Sequence, residues 1–205
     1  KMYYDWPKTI ELVRSLQPQA VIFSDAGPDI RWVGNEKGYA NETTWSPIYR
    51  DSVFAGMPDF QRFASGQENG THWVPTETDV SIRPGWYYHP EEDNQVKSLS
   101  KLVDIYYNSV GLNSSLLLNL PVDNRGLIHE NEVKNLKALA DYLNTTFSYN
   151  YSKGQKVKTS STLKGYDNKA LIDDDKKTYW ASDVNDKNPT IEIHLDNPVS
   201  VNTFM

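Results

Sequence analysis

The feature that most constrains this chain is a helical pattern running straight into a short apolar strand. Pro7 to Leu16 places Ile10, Leu12, Val13 and Leu16 at close to helical spacing, with Pro7 suited to a first turn. Gln17-Pro18 ends that pattern. Ala20 to Ser24 is then a branched and aromatic run stopped at Gly27-Pro28, as a buried parallel strand is. Helix into buried strand is the repeating unit of a parallel α/β fold. Beyond the stop, Asp25, Asp29, Arg31, Trp32, Asn35 and Glu36 fall within twelve positions. A strand whose carboxyl end opens into acids, an arginine and an indole is how α/β barrels build active sites. The mixture suits a sugar, because ring faces stack on Trp while hydroxyls bond to carboxylate and guanidinium.

The same grammar repeats downstream. Gly38 to Gly70 is polar, aromatic and weakly periodic, and reads as a long excursion beyond the strand ends; loops of that length tend to be functional. His72 to Ile82 alternates as a second strand, ended by Arg83-Pro84-Gly85 and followed by the aromatic cluster Trp86-Tyr87-Tyr88-His89. Asn94 to Val110 carries Val96, Leu99, Leu102, Val103, Ile105 and Tyr106 as an amphipathic helix, with Gly111 in the capping place. Leu116 to Leu120 is a third core strand closed by Pro121. After the turn Asp123 to Gly126, His129 to Phe147 is the last helix of the domain, with Val133, Leu136, Leu139, Ala140 and Leu143 on one face.

Composition changes after Phe147. Residues 148–154 are polar and mark a boundary, so the expected domains are 1–148 and 149–205. From Val157 onward the pattern is short strands and turns, with Thr190 to Leu195 alternating cleanly and Val199 to Phe204 after Asn197-Pro198, which is antiparallel β grammar.

A net charge of −6 with no basic cluster argues against a nucleic-acid partner. No apolar run approaches the ~20 residues of a membrane span. Cysteine is absent, which excludes disulfides and thiolate chemistry without fixing a compartment. Five Asn-x-Ser/Thr matches, at Asn41, Asn69, Asn113, Asn144 and Asn150, are of the kind a chain rich in Asn, Ser and Thr produces by chance. Lys1-Met-Tyr-Tyr-Asp-Trp6 reads as the interior of a domain, with the amino terminus expected upstream.

Four motifs occur in order: Tyr4-Asp5-Trp6, the run from Asp25 to Glu36, Asp79-Val-Ser-Ile-Arg-Pro-Gly-Trp86 and Leu116-Leu-Leu-Asn-Leu-Pro121. Together they resemble the retaining α-L-fucosidases of the family 29 type, in particular their α-1,3/1,4-specific branch, over roughly residues 1–148. The resemblance implies an α/β fold: the C-terminal part of a (β/α)8-like TIM barrel, with earlier strands upstream. Ala170 to Ser182 followed by Ile191 to Leu195 resembles the opening of a discoidin-like (F5/8 type C) module, a partial antiparallel β-sandwich of the carbohydrate-binding kind.

Retaining glycosidases use two carboxyl groups, one a nucleophile and one an acid then base. The resemblance places the nucleophile on an aspartate expected upstream of Tyr4, and the acid/base on Glu36 of Trp32-Val-Gly-Asn-Glu36; Glu42 is the competing candidate in the same loop. It also implies that Trp86 lines a fucose pocket. Around these, Arg31 either bonds sugar hydroxyls or pairs with Asp29, and Trp32 belongs to the same substrate-binding loop. Glu77 and Asp79 alternate on the second strand, facing the barrel interior or taking part in structural ion pairs. Asp5 and Trp6 anchor the first helix. The four His residues, at 72, 89, 129 and 194, have no ligand spacing, so no metal or cofactor is implied at the site. Asp173, Asp174, Asp175 and Thr178 read first as a plain acidic turn; in related sandwiches this turn often holds a structural calcium, which is the alternative. The expected partner is a fucosylated oligosaccharide or glycoconjugate met after export. The competing reading is a non-catalytic carbohydrate-binding protein. No Gly-x-Ser-x-Gly motif supports an α/β hydrolase of other substrates.

Overall fold

The computed structural model describes all residues except 1–3, 60, 62, 63, 202, 204 and 205. The chain divides into two compact units, 1–139 and 140–205.

The first unit opens with α1 (Trp6–Leu16). Its N-terminus is capped by Asp5, whose carboxylate accepts the Lys8 N–H at 3.2 Å, the anchoring role expected of that residue. The strand expected over 20–24 shortens to β1 (Phe23–Ser24), and what reads as loop contains β2 (Ile30–Trp32). Only residues 25–29 connect these two parallel strands, which pair Phe23 with Ile30 and Ser24 with Arg31. Asp29 makes so short a return possible: its carboxylate accepts the Ile22 N–H at 2.6 Å and is gripped by Arg14 from the end of α1. Burial alone would push the Asp29 carboxyl up, but the Arg14 and Ile22 bonds outweigh it and hold it below its ordinary value. Val21 and Phe23 are 69% and 45% exposed rather than buried.

The excursion from 38 to 70 has its own small order. β3 (Pro47–Ile48) pairs antiparallel with β4 (His72–Trp73), and Ala26, Ile48, Val53 and Val74 make a buried cluster with Met57 packed on it. The alternation over 72–82 is therefore two strands, β4 and β5 (Thr76–Ser81), broken at Pro75, where the missing N–H cannot continue a ladder.

α2 (Leu99–Ser109) starts later than the apolar pattern implies, because Ser98 accepts the Lys101 N–H at 3.3 Å and caps it there. Gly111 does not end it; a short 3-10 turn follows and Asn113 takes the left-handed conformation at φ 61°. β6 (Ser114–Asn119) then pairs in parallel with β5 along its whole length, and α3 (Glu130–Thr146) follows. The sheet is four parallel strands in the order β1-β2-β5-β6. One face of β5, with Thr76, Thr78 and Val80, is buried, and Leu102 and Ile105 of α2 belong to the same core.

In the second unit, β7 (Lys156–Thr159) and β8 (Ile191–His194) form one antiparallel pair, with half-buried Val157 opposite Ile193. Residues 199–201 carry no strand, and Phe204 lies outside the described residues. None of the fully buried hydrophobic side chains among the described residues lies in this unit.

Candidate functional site

Parallel pairing puts the carboxyl ends of β2, β5 and β6 at one end of the sheet. Strand alternation and register place Trp32, Glu77, Asp79, Ser81 and Asn119 on one face, opposite the face covered by α2. On that face the Trp32 indole N–H donates to Asp79 at 2.7 Å. Glu77, beside Trp32 in register, has its carboxyl pushed above the ordinary value by burial and then by the Asp79 carboxylate. The ion pairing that sequence allows for these two acids does not occur: among the described residues no cation reaches either.

Glu36 stands beyond the end of β2 and is held by a chain of local constraints. The Val33 N–H bonds to the Glu77 carbonyl at 3.0 Å and the Gly38 N–H to the Asp79 carbonyl at 3.1 Å, so residues 33–38 run along β5. Gly38 is buried with φ +76°, and a Cβ there would lie 2.8 Å from Val80 Cγ1 and 2.9 Å from Ile105 Cγ2. Only glycine lets the loop come so close in that conformation. Further along, the Ala40 N–H donates to the Asn108 carbonyl at 2.7 Å and the Tyr39 hydroxyl to Asp104 at 2.6 Å, tying the loop to α2.

Trp86 comes from the turn after β5. Its indole N–H donates to Glu36 Oε2 at 3.0 Å, bringing together two residues fifty positions apart. Glu42 is exposed elsewhere in the excursion, and the indole N–H is given to Glu36 instead. The Trp86 turn is firmly rooted. Arg83, wholly buried, donates to Glu132 at 2.7 and 3.2 Å and to Asp93 at 2.9 Å, and lies 4.6 Å over the Tyr88 ring. The Glu132 bonds outweigh burial and push the guanidinium above its ordinary pKa. Lys97 ties the same turn from behind, donating to the Ser81 and Arg83 carbonyls at 2.7 and 3.1 Å.

Arg31 is the correction among the expected sugar contacts. It is 1% exposed, and its guanidinium is spent on the carbonyls of Trp45, Ser46, Ala64 and Val74, with Asp29 taken by Arg14. Alternation turns it away from the Trp32 face, so it clamps the excursion and neither of its sequence-derived roles applies. Burial without a carboxylate lowers its pKa to about 10.

Among the described residues, no group of three or more His, Asp or Glu is arranged to hold a metal. In the acidic turn of the second unit, Asp173 accepts the Asp175 N–H and the Thr178 hydroxyl, while Asp174 pairs with Lys153. The acidic turn is held by these hydrogen bonds and this ion pair. Among the described residues no helix is long and apolar enough to cross a membrane. Sequence reasoning missed Asn119, whose carboxamide bonds to the Trp86 main chain. The available signal was a polar residue inside an otherwise apolar strand.

An acid on one loop, an indole locked to it from the next, and further acids on the same face of the sheet thus gather at one end of the parallel strands. In comparison with known proteins, the sequence profile of the alpha-L-fucosidases matches residues 3–147, and the chain belongs to that family. Alpha-L-fucosidase 1 of Arabidopsis thaliana is 39% identical over 208 residues, covering 99% of this chain and 40% of that protein. Among solved structures, SpGH29 superposes with a TM-score of 0.80 at 35% identity, over 94% of this chain and 42% of that one. A Ruminococcus gnavus GH29 fucosidase, solved in complex with fucose, gives a TM-score of 0.71 at 30% identity, over 89% and 39% of the two chains. The chain thus spans about two fifths of the length of these relatives.

Proposed function

We propose that the chain is part of an exo-acting α-L-fucosidase that removes α-1,3/1,4-linked fucose from glycans with retention of configuration. Glu36 is the general acid/base: it protonates the leaving oxygen, then deprotonates the water that opens a covalent fucosyl-enzyme. Trp86 holds that carboxylate from one side and offers its ring to the apolar edge of fucose; Trp32 and Glu77 belong to the sugar-facing wall. The observation that carries this reading is the 3.0 Å bond from the Trp86 indole N–H to Glu36, which joins two separately recognised motifs at one point. Family membership supports fucose as the substrate. In this reading the parallel sheet is the C-terminal part of a (β/α)8 barrel, the nucleophile comes from an earlier strand, and the second unit opens a discoidin-like sandwich. Export follows from where fucosylated glycans are met.

The test is Glu36→Gln in the full-length protein, on a fucosylated trisaccharide and on an aryl fucoside whose leaving group needs little protonation. The trisaccharide rate falls by ~10²–10⁴-fold. Azide restores aryl fucoside turnover and yields fucosyl azide of retained configuration. If both rates stay near wild type, Glu36 is not the acid/base, and Glu42→Gln is the next variant.

A further inference from the structure

We infer that Asn119 is a positioning residue for the acid/base: its carboxamide fixes the main chain of Trp86 so that the indole N–H meets Glu36. The inference rests on the reading of Glu36 given above. Asn119 is the last residue of β6, half-buried and in register with Ser81. Its Nδ2 donates to the Trp86 carbonyl at 3.0 Å and to Ser81 Oγ at 3.1 Å, while the main-chain carbonyl of the same residue accepts the Ile82 N–H at 3.0 Å. A backbone carbonyl only accepts, so the amide nitrogen, not the oxygen, must face Trp86. One residue therefore grips the chain at Ser81, Ile82 and Trp86, closing the turn that carries the indole. Trp86 passes that constraint on to the Glu36 carboxylate. No leucine or valine at this place in an apolar strand could do so, which accounts for the asparagine in Leu116-Leu-Leu-Asn-Leu-Pro121.

The experiment compares Asn119→Ala, Asn119→Asp and Trp86→Phe, and Asn119→Ala in the Trp86→Phe background, in the full-length protein. Each is assayed on the fucosylated trisaccharide and the activated aryl fucoside, with Tm recorded alongside. Trp86→Phe keeps an aromatic ring and deletes the donor. Asn119→Asp is isosteric, places a carboxylate oxygen against the Trp86 carbonyl, and serves if the alanine variant fails to fold. Loss of one hydrogen bond acting on the acid lowers kcat on the trisaccharide by about tenfold more than on the aryl fucoside, with KM little changed. In the Trp86→Phe background Asn119→Ala adds no further selective loss. Equal loss on both substrates, or a rise in KM alone, overturns the inference and makes Asn119 a direct sugar contact or a purely structural residue. A selective loss that persists without the indole donor overturns it too. If Glu36→Gln shows selective loss and neither Asn119 variant does, this inference alone fails; if Glu36→Gln shows none, the acid/base reading fails and takes it down.

Discussion

Replacing Gly38 by alanine should be costly out of proportion to one methyl group. The residue sits at φ +76° with its N–H on the Asp79 carbonyl, between Val80 and Ile105. An L side chain in left-handed backbone costs about 1–2 kcal/mol. A Cβ at 2.8 Å from Val80 Cγ1 and 2.9 Å from Ile105 Cγ2 is tighter than real contacts, and overpacking of this kind costs about 1–3 kcal/mol. If the loop stays in place, the sum is roughly 2–5 kcal/mol of a total near 5–15. If instead it lifts to relieve the clash, the bond to Asp79 breaks and Glu36, two residues away, leaves the Trp86 indole. A displacement of ~1 Å at a reacting group costs ~10²-fold in rate. Urea unfolding of the full-length protein reads the first outcome and trisaccharide kinetics the second. Gly126, at φ +76° with nothing within 4 Å of a built Cβ, is the control: Gly126→Ala carries the backbone strain without the clash. A Gly38→Ala protein within about 0.5 kcal/mol of wild type and with unchanged kinetics would refute the argument that this close approach holds Glu36.

Two further outcomes follow from the ion pairs. Arg83→Met leaves the buried Glu132 without its partner, so it should cost about 3–5 kcal/mol in urea unfolding, while Arg83→Met with Glu132→Leu recovers much of that. A double variant as unstable as the single would show that Arg83 matters for its bonds to Asp93 and His89 instead. At Asp123, the Arg125 hydrogen bonds outweigh desolvation and hold the carboxyl at about 2 against an ordinary 3.8. A depressed folded-state pKa gives stability that is complete above 3.8 and lost as pH falls toward 2. The Tm deficit of Asp123→Asn should therefore shrink between about pH 5 and pH 2; a deficit independent of pH would assign it to the turn's backbone bonds alone.

Much of the fold was legible because apolar periodicity is local. Residues 6–16, 99–109 and 130–146 carry their helical stripe in the sequence, and 114–119 its strand. Local patterns were misleading where a partner decides the matter. Ile30-Arg-Trp32 reads as loop because it is three residues of mixed polarity between Gly27-Pro28 and Gly34, yet it is a central strand whose pairing with β1 and β5 comes from elsewhere in the chain. The alternation over 72–82 hid a change of sheet at Pro75 for the same reason. At the site, Glu36 and Trp86 stood out in their motifs and the structure joins them by a hydrogen bond, whereas the clamping role of Arg31 was not legible. An arginine beside an aspartate looks the same on paper whether it turns toward a ligand or into four backbone carbonyls.

By itself, then, the sequence determined the α/β class and the approximate helix positions, and it singled out Glu36 and Trp86 as candidates. These depend on side-chain type and on spacing within one turn or strand. Only the tertiary structure decided that Trp86 donates to Glu36 rather than to Glu42, that Arg31 is a clamp, that Gly38 admits no side chain, and that Asn119 grips the turn. Each of those depends on the approach of segments outside one helix turn or hairpin, set by strand register and packing density rather than by any local propensity.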